Sequence, residues 1–278
     1  MDKLFDFMFR EKRDSVSVEL PPRVVDLPPG IIDPERIDIY RKHMHLKGAD
    51  RLFEKLLENI RYVGPEDFKS SLGIMEGQIK NFVENDPFIV IYGPEDRSGK
   101  WVADQLNLSP LASLSVFDRR DNLFSKFVKN GTKVVYPDDH TISGAQVNHF
   151  INNESFPGNS INRNNLGLFF VGATDLAVRD LTKHMRPKTL FRRYKIPTMN
   201  EIFSKDELKT LGDILPGWGG TSSQAVLTFL HSSVPDNFYG PLKRSISVID
   251  KEIENTDELY LVDDRVGGKF ARPYRNNK

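Results

Sequence analysis

Cysteine is absent from all 278 residues, which removes disulfides, thiolate metal sites and thiol nucleophiles together. Tryptophan occurs only at Trp101 and Trp218, and both read as packing residues. No apolar run approaches the length of a membrane span. The stretch from Met1 to Arg10 is apolar, but Asp6 and Arg10 interrupt it too early for a signal sequence. A charge excess is missing as well. With 39 Lys and Arg against 39 Asp and Glu, no global field draws the chain to nucleic acid or to an anionic membrane, so any such binding needs a local patch. The expectation is a cytoplasmic protein with no membrane partner.

What is present is ordinary for a soluble chain: 38% hydrophobic and 28% charged residues, enough to bury one large core with appendages. Leu4, Phe5, Met8 and Phe9 share a helical face that packs on the domain itself or docks on a partner. From Ser15 to Pro34 repeated prolines disfavour helix and predict an extended strap across a surface. Leu52, Phe53, Leu56, Leu57 and Ile60 recur at helical spacing and predict a helix from about Asp50 to Tyr62. Pro65-Glu66-Asp67 opens a second, running to about Val83.

Between residues 87 and 191 strands and helices alternate. The run Phe88 to Tyr92 has no polar alternation, as expected of a strand covered on both faces, and the loop 93–100 and a helix from Trp101 to Leu106 follow it. Leu114 to Phe117, Thr132 to Tyr136 and Leu166 to Val171 read as further strands, with helices at Arg119 to Val128, Gly144 to Ile151 and Thr174 to His184. That alternation predicts an α/β fold with a parallel sheet flanked by helices. Beyond Tyr194 the pattern turns helical, at Glu201 to Leu211 and Ala225 to His231, ahead of a polar, basic tail. The expected division is an N-terminal arm and helical cover (1–86), a core (87–194) and a C-terminal extension (195–278).

The richest chemistry lies in Lys133-Val134-Val135-Tyr136-Pro137-Asp138-Asp139-His140-Thr141-Ile142-Ser143-Gly144-Ala145-Gln146. A β-branched run ends on two adjacent carboxylates, a short polar loop follows, and Ser143-Gly144 opens a helix. Carboxylates suit neighbouring sugar hydroxyls, and loop amides with a helix N-terminus suit a phosphate. A turn in which the aspartates simply cap the helix is the plain alternative. The loop Gly93-Pro94-Glu95-Asp96-Arg97-Ser98-Gly99-Lys100 adds cations for phosphate oxygens at Arg97 and Lys100, and Ser98-Gly99 allows close backbone approach; a surface turn is its plain reading.

In order and spacing these segments resemble the ribose-phosphate-binding and diphosphate-binding loops of type I phosphoribosyltransferases. The resemblance implies that Asp138 and Asp139 bind ribose hydroxyls, that Thr141, Ser143, Gly144 and Ala145 wrap the 5′-phosphate, and that Arg97, Ser98, Gly99 and Lys100 hold the diphosphate. It also implies a magnesium ion carried by ligand diphosphate and ribose oxygens, with no metal held by protein side chains. Ile142 and Gln146 replace hydroxyl residues of the family pattern, so the phosphate grip would rest on backbone amides and Ser143. The stretch from Lys100 to Lys133 leaves little length for the family's mobile lid.

A third segment, His231-Ser232-Ser233-Val234-Pro235-Asp236-Asn237, is similar to the His-x-x-x-Pro-Asx-Asn signature of phosphoribosyltransferase-like proteins from bacterial conflict systems, the PRTase-CE group. That resemblance, over about residues 87 to 245, implies an anti-phage effector of the retron type, partnered by a reverse transcriptase and its RNA-linked single-stranded DNA. Its ligand would be phosphoribosyl pyrophosphate or a nucleotide, with transfer or cleavage at the ribose C1 position. His231 would exchange a proton and Asn237 would read a base or hydroxyl; a buried packing histidine followed by a turn is the plain alternative. The basic cluster His184, Arg186, Lys188, Arg192, Arg193 and Lys195, interrupted by aromatics, offers a nucleic-acid surface or a solvated helix end. A second overall reading is therefore an inactive scaffold, or a nucleic-acid-binding regulatory subunit of the same complex.

Overall fold

The computed structural model describes residues 18–23, 32–84, 89–92, 98–108, 114–117, 132–149, 162–215, 225–230 and 242. Its centre is a five-stranded, all-parallel sheet built from β2 (Ile89–Tyr92), β3 (Leu114–Phe117), β4 (Lys133–Thr141), β5 (Leu166–Ala173) and β6 (Thr189–Lys195), in the spatial order β3-β2-β4-β5-β6. The expected α/β class with a parallel sheet between helices is what the chain adopts.

β5 shows why these residues make strands. Its sequence Leu166-Gly-Leu-Phe-Phe-Val-Gly-Ala173 has no polar position, and every residue is buried, as a central parallel strand requires. Phe169 and Val171 enter a core formed with α3 (Pro65–Val83) and α4 (Ser98–Gln105), whereas Leu166, Leu168 and Phe170 enter a second one with Leu181 and Met185, in and just beyond α6 (Asp175–His184). Gly167 and Gly172 have no room for more: a Cβ at Gly172 would lie 2.7 Å from Ile196 Cδ1.

The helix starts follow local chemistry. α3 has Pro65 in its first turn with Glu66 and Asp67 beside it, favourable at a helix N-terminus. Thr174 caps α6, its hydroxyl accepting from the Ala177 amide at 3.0 Å. Asp33 performs the same task for α1 (Pro34–Leu46), accepting from the Glu35 amide at 3.0 Å. That helix has no counterpart in the sequence pattern, because its residues are mostly polar and show little apolar periodicity.

Three expected helices end differently. The first, α2 (Asp50–Glu58), stops short of Tyr62, and Arg61–Val63 forms strand β1. The Glu201 to Leu211 helix is two, α7 (Met199–Ile202) and α8 (Lys205–Ile214), because Ser204 and Glu207 build a new capping box between them. The segment 225–230 is extended rather than helical: β7 (Thr228–Leu230) pairs in parallel with β1, Arg61 opposite Thr228. A short apolar run does not distinguish a buried strand from a buried helix, and here pairing with β1 decides.

Described segments before and after the large sheet share one core. Phe53, Leu56, Ile60 and Tyr62 from the N-terminal part pack with Met199, Phe203, Leu211, Leu227 and Phe229 from the C-terminal part. Lys55 clips α2 (Asp50–Glu58) to α8, reaching both Glu207 carboxylate oxygens at 2.9 Å. Residues 18–23 are extended, as the prolines predict. Glu19 bridges Tyr194 of β6, Arg23 bridges Arg61 of β1, and Arg61 Nη1 donates to Pro21 O at 2.7 Å. The strap thus ties the large sheet to the small one.

Among the described residues the buried Thr228 Oγ1 has no hydrogen-bond partner. Such a hydroxyl is a desolvation cost without return, so Thr228→Val is expected to raise stability by about 1 kcal/mol, measurable by urea denaturation.

Candidate functional site

Strand order reverses between β2 and β4: the chain moves outward from β2 to β3, then crosses back to β4 and continues through β5 and β6. In open parallel sheets the crevice beyond the carboxyl ends of two such strands is where ligands bind. The segments that border this crevice are the start of α4, after β2, and the carboxyl end of β4. They are the two segments that the sequence reading singled out.

The structure brings them into contact. Ser98 Oγ donates to Asp138 Oδ1 at 2.5 Å, across 40 positions of chain. Ser98 opens α4, three residues earlier than the expected helix start, so it sits on a helix rather than on the preceding loop; Gly99, the next residue, is buried. The strand boundary also differs from expectation. β4 does not end at Tyr136 but runs through Asp138 and Asp139 to Thr141, because β5 continues to offer pairing partners, Phe170 to Asp138 and Gly172 to His140. The aspartates therefore lie within the strand, and both are buried, at 7% and 1% exposure.

Their partners differ. Asp138 accepts from Ser98 Oγ, from the Asp139 amide at 3.0 Å and from Tyr136 OH at 3.4 Å. Asp139 accepts from the His140 amide at 2.7 Å, and its Oδ1 lies 2.9 Å from His140 Nδ1. Burial, followed by the neighbouring Asp139 charge, pushes the Asp138 carboxyl up to about 7, against the opposing pull of Ser98, His140 and the Asp139 amide.

The loop after β4 is held rigidly. Thr174 donates its hydroxyl to Ile142 O while its amide donates to Thr141 O at 3.2 Å, so one residue both caps α6 and fastens the loop. Thr141 is buried in β4, Ser143 Oγ accepts from the Ala145 amide at 3.3 Å, and Ala145 opens the short helix α5 (Ala145–His149). Gly144 adopts φ +71°, and a Cβ there would lie 2.9 Å from Leu181 Cγ. Conformation and space both demand glycine.

Arg192 and Arg193, expected as a nucleic-acid surface, are engaged inside the chain. Arg192 donates to Ala173 O at 3.0 Å and to Asp175 at 2.6 Å; Arg193 pairs with Glu19 of the strap at 2.7 Å. Lys195 bridges Asp175 at 2.6 Å and Glu201 at 2.8 Å. Desolvation raises the carboxyls of Asp175 and Glu201, but the hydrogen bonds and charge of their partners outweigh it and leave both below their ordinary range. Arg97, His231 and Asn237 lie outside the described residues, as does the side chain of Lys100. His140 and Tyr136 were not anticipated as site residues. The period of two along a strand carried past Tyr136 would have placed both beside Asp138.

The described residues hold no cluster of three or more His, Asp or Glu side chains able to bind a metal, and the acidic pair's oxygens already have protein partners. These residues do not build a magnesium site of their own. No helix among the described residues is long and apolar enough to cross a membrane. No protein-family model matches the chain, and no curated protein matches it in sequence.

Two outcomes follow from the geometry. Folded Asp138 keeps its proton up to about 7, whereas an unfolded aspartate releases it near ~4. Its contribution is therefore whole below the unfolded value and is lost as pH rises toward 7. Asp138→Asn is expected to raise stability at pH 8 by on the order of 1–3 kcal/mol and to change it little at about pH 4, as thermal unfolding at the two pH values would show. Gly144→Ala is expected to lower stability by about 1–3 kcal/mol in the same measurement.

Proposed function

We propose that the chain is a phosphoribosyltransferase-like protein that binds a phosphoribosyl or nucleotide ligand in the crevice between β2 and β4. The observation that carries this reading is the Ser98–Asp138 hydrogen bond at the point where strand order reverses, since it joins the two segments expected to hold diphosphate and ribose. The ligand's sugar lies toward Asp138 and Asp139, and its phosphate toward the loop from Thr141 to Ala145. Magnesium accompanies the ligand, held by diphosphate and ribose oxygens. In the enzymatic version of this reading the reaction is transfer or cleavage at the ribose C1 carbon, with His231 and Asn237 completing the site and Arg97, Gly99 and Lys100 holding the leaving diphosphate. By the resemblance of its three motifs, we place it in a retron-type anti-phage system with a reverse transcriptase and RNA-linked single-stranded DNA.

One observation favours a second reading, a scaffold that keeps the fold without turnover: the carboxylates are buried and already hydrogen-bonded, unlike a pair waiting for sugar hydroxyls. The ion pairs at Arg192 and Arg193 lend the nucleic-acid-binding version less support.

Calorimetric titration with phosphoribosyl pyrophosphate and magnesium, and separately with ribose 5-phosphate, tests the ligand. The wild type is expected to bind, and Ser98→Ala and the double substitution Asp138→Asn with Asp139→Asn to weaken binding at least ~10-fold, the loss of one or two charge-assisted hydrogen bonds. Absence of binding by the wild type to either compound would overturn the reading. Turnover of the bound compound separates enzyme from scaffold.

A further inference from the structure

Thr174 does more than close a helix. It is fully buried, and its amide continues the ladder between β4 and β5 by donating to Thr141 O at 3.2 Å. Its hydroxyl donates to Ile142 O and accepts from the Ala177 amide at 3.0 Å. Two successive carbonyls of the loop after β4 are therefore held by one residue. That residue has no freedom to swing, because the next position, Asp175, is tied to Arg192 and Lys195 of β6, each at 2.6 Å. Further along α6 the loop lies directly on the helix, where a Cβ at Gly144 would meet Leu181 Cγ at 2.9 Å and Ala177 O at 3.3 Å.

Fixing two carbonyls fixes two amides. Both peptide bonds are trans, so each carbonyl and the N–H that follows it point to opposite sides. With Thr141 O turned to β5, the Ile142 N–H points toward the other neighbour of β4, which is β2. With Ile142 O turned to the start of α6, the Ser143 N–H points away from that helix. β2 pairs with β4 as far as Ile91 opposite Val135 and ends at Tyr92, so nothing of that strand faces these amides. Among the described residues neither amide has a protein acceptor. Both lie on the crevice side of β4, where Ser98 reaches Asp138, and both belong to the loop ahead of the short helix α5.

We infer that Thr174 is a positioning residue: it aims the Ile142 and Ser143 amides into the crevice as a pair of donors for the oxygens of a phosphate monoester. Resting on the ligand reading above, this deepens it, because the grip on the sugar's phosphate is set from behind by a residue that never touches the ligand. Backbone amides held in this way form charge-assisted hydrogen bonds with an anion without a neighbouring cation. The cations Arg192 and Lys195 are already paired with Asp175 and Glu201.

Amide NMR of the full chain, titrated with ribose 5-phosphate, tests the inference. In the wild type the Ile142 and Ser143 amide protons are expected to move downfield as they donate to the phosphate. Thr174→Val keeps the branched shape but removes both hydroxyl bonds. It is expected to lose those shifts and to bind about tenfold more weakly, the effect of one lost charge-assisted hydrogen bond. Thr174→Ser, which retains the hydroxyl, is expected to restore both. A residue serving only the helix cap would leave shifts and affinity unchanged in a folded Thr174→Val protein. Circular dichroism checks folding, and Thr174→Ala takes the place of Thr174→Val should that variant fail to fold.

Wild-type binding that leaves the two amides unmoved overturns the inference and leaves the ligand reading intact. So does a folded Thr174→Val protein that shifts and binds as the wild type does. Failure of the wild type to bind ribose 5-phosphate overturns the ligand reading, and inorganic phosphate then decides the inference. It stands if phosphate moves the two amides in the wild type and not in Thr174→Val, and falls if phosphate does not.

Discussion

Two adjacent carboxyl groups inside a buried parallel strand are expensive to fold, and much of the surrounding architecture compensates for them. β4 keeps its pairing with β5 as far as Thr141, so the backbone of Asp138 and His140 stays inside the ladder. That continuity draws both aspartates out of water. Each oxygen exposed to this loss needs a donor close by, and the donors come from two places: the strand's own amides, and the Tyr136 and Ser98 hydroxyls. Ser98 reaches Asp138 only because α4 begins at that residue. The start of the helix and the end of the strand are therefore one structural decision.

The rest of the molecule holds that junction still. Thr174 ties the loop after β4 to the start of α6, and Gly144 lets the loop lie against Leu181 with no side chain between. On the other face of the sheet, α3 and α4 share a core with Val135, Phe169 and Val171, and Val63 of β1 and Leu230 of β7 enter the same core. Described residues before and after the sheet thus pack together as one cover. The strap formed by residues 18–23 fastens that unit to β6, with Glu19 accepting from Lys195 N at 2.8 Å and pairing with Arg193. Charges that looked like a binding surface in one dimension are spent in this seam.

Much of the fold was legible where local signals were strong. The Thr174 cap, the Pro65-Glu66-Asp67 helix start and the wholly apolar Leu166 to Val171 run each have a local physical cause, and each element formed where that cause lay. The structure departs from the local signals where these are balanced. Residues 225–230 are apolar enough for either a strand or a helix, and β1, more than 160 positions earlier in the chain, settles the choice through pairing. β4 runs past Tyr136 although Asp-Asp is ordinarily a turn signal, because a neighbouring strand of sufficient length overrides it. The same pairing places His140 inside the strand, opposite Gly172, rather than in a loop.

By itself the sequence determined the alternation of strands and helices, the extended strap, the helix caps and the presence of two chemically charged segments around residues 98 and 138, because these depend on period, proline and hydrogen-bonding side chains a few positions apart. Only the tertiary structure decided that the two segments meet, that the aspartates are buried and unequal, and that Arg192 and Arg193 turn inward. Burial and pairing between distant positions set these outcomes, and neither quantity exists until the sheet has formed.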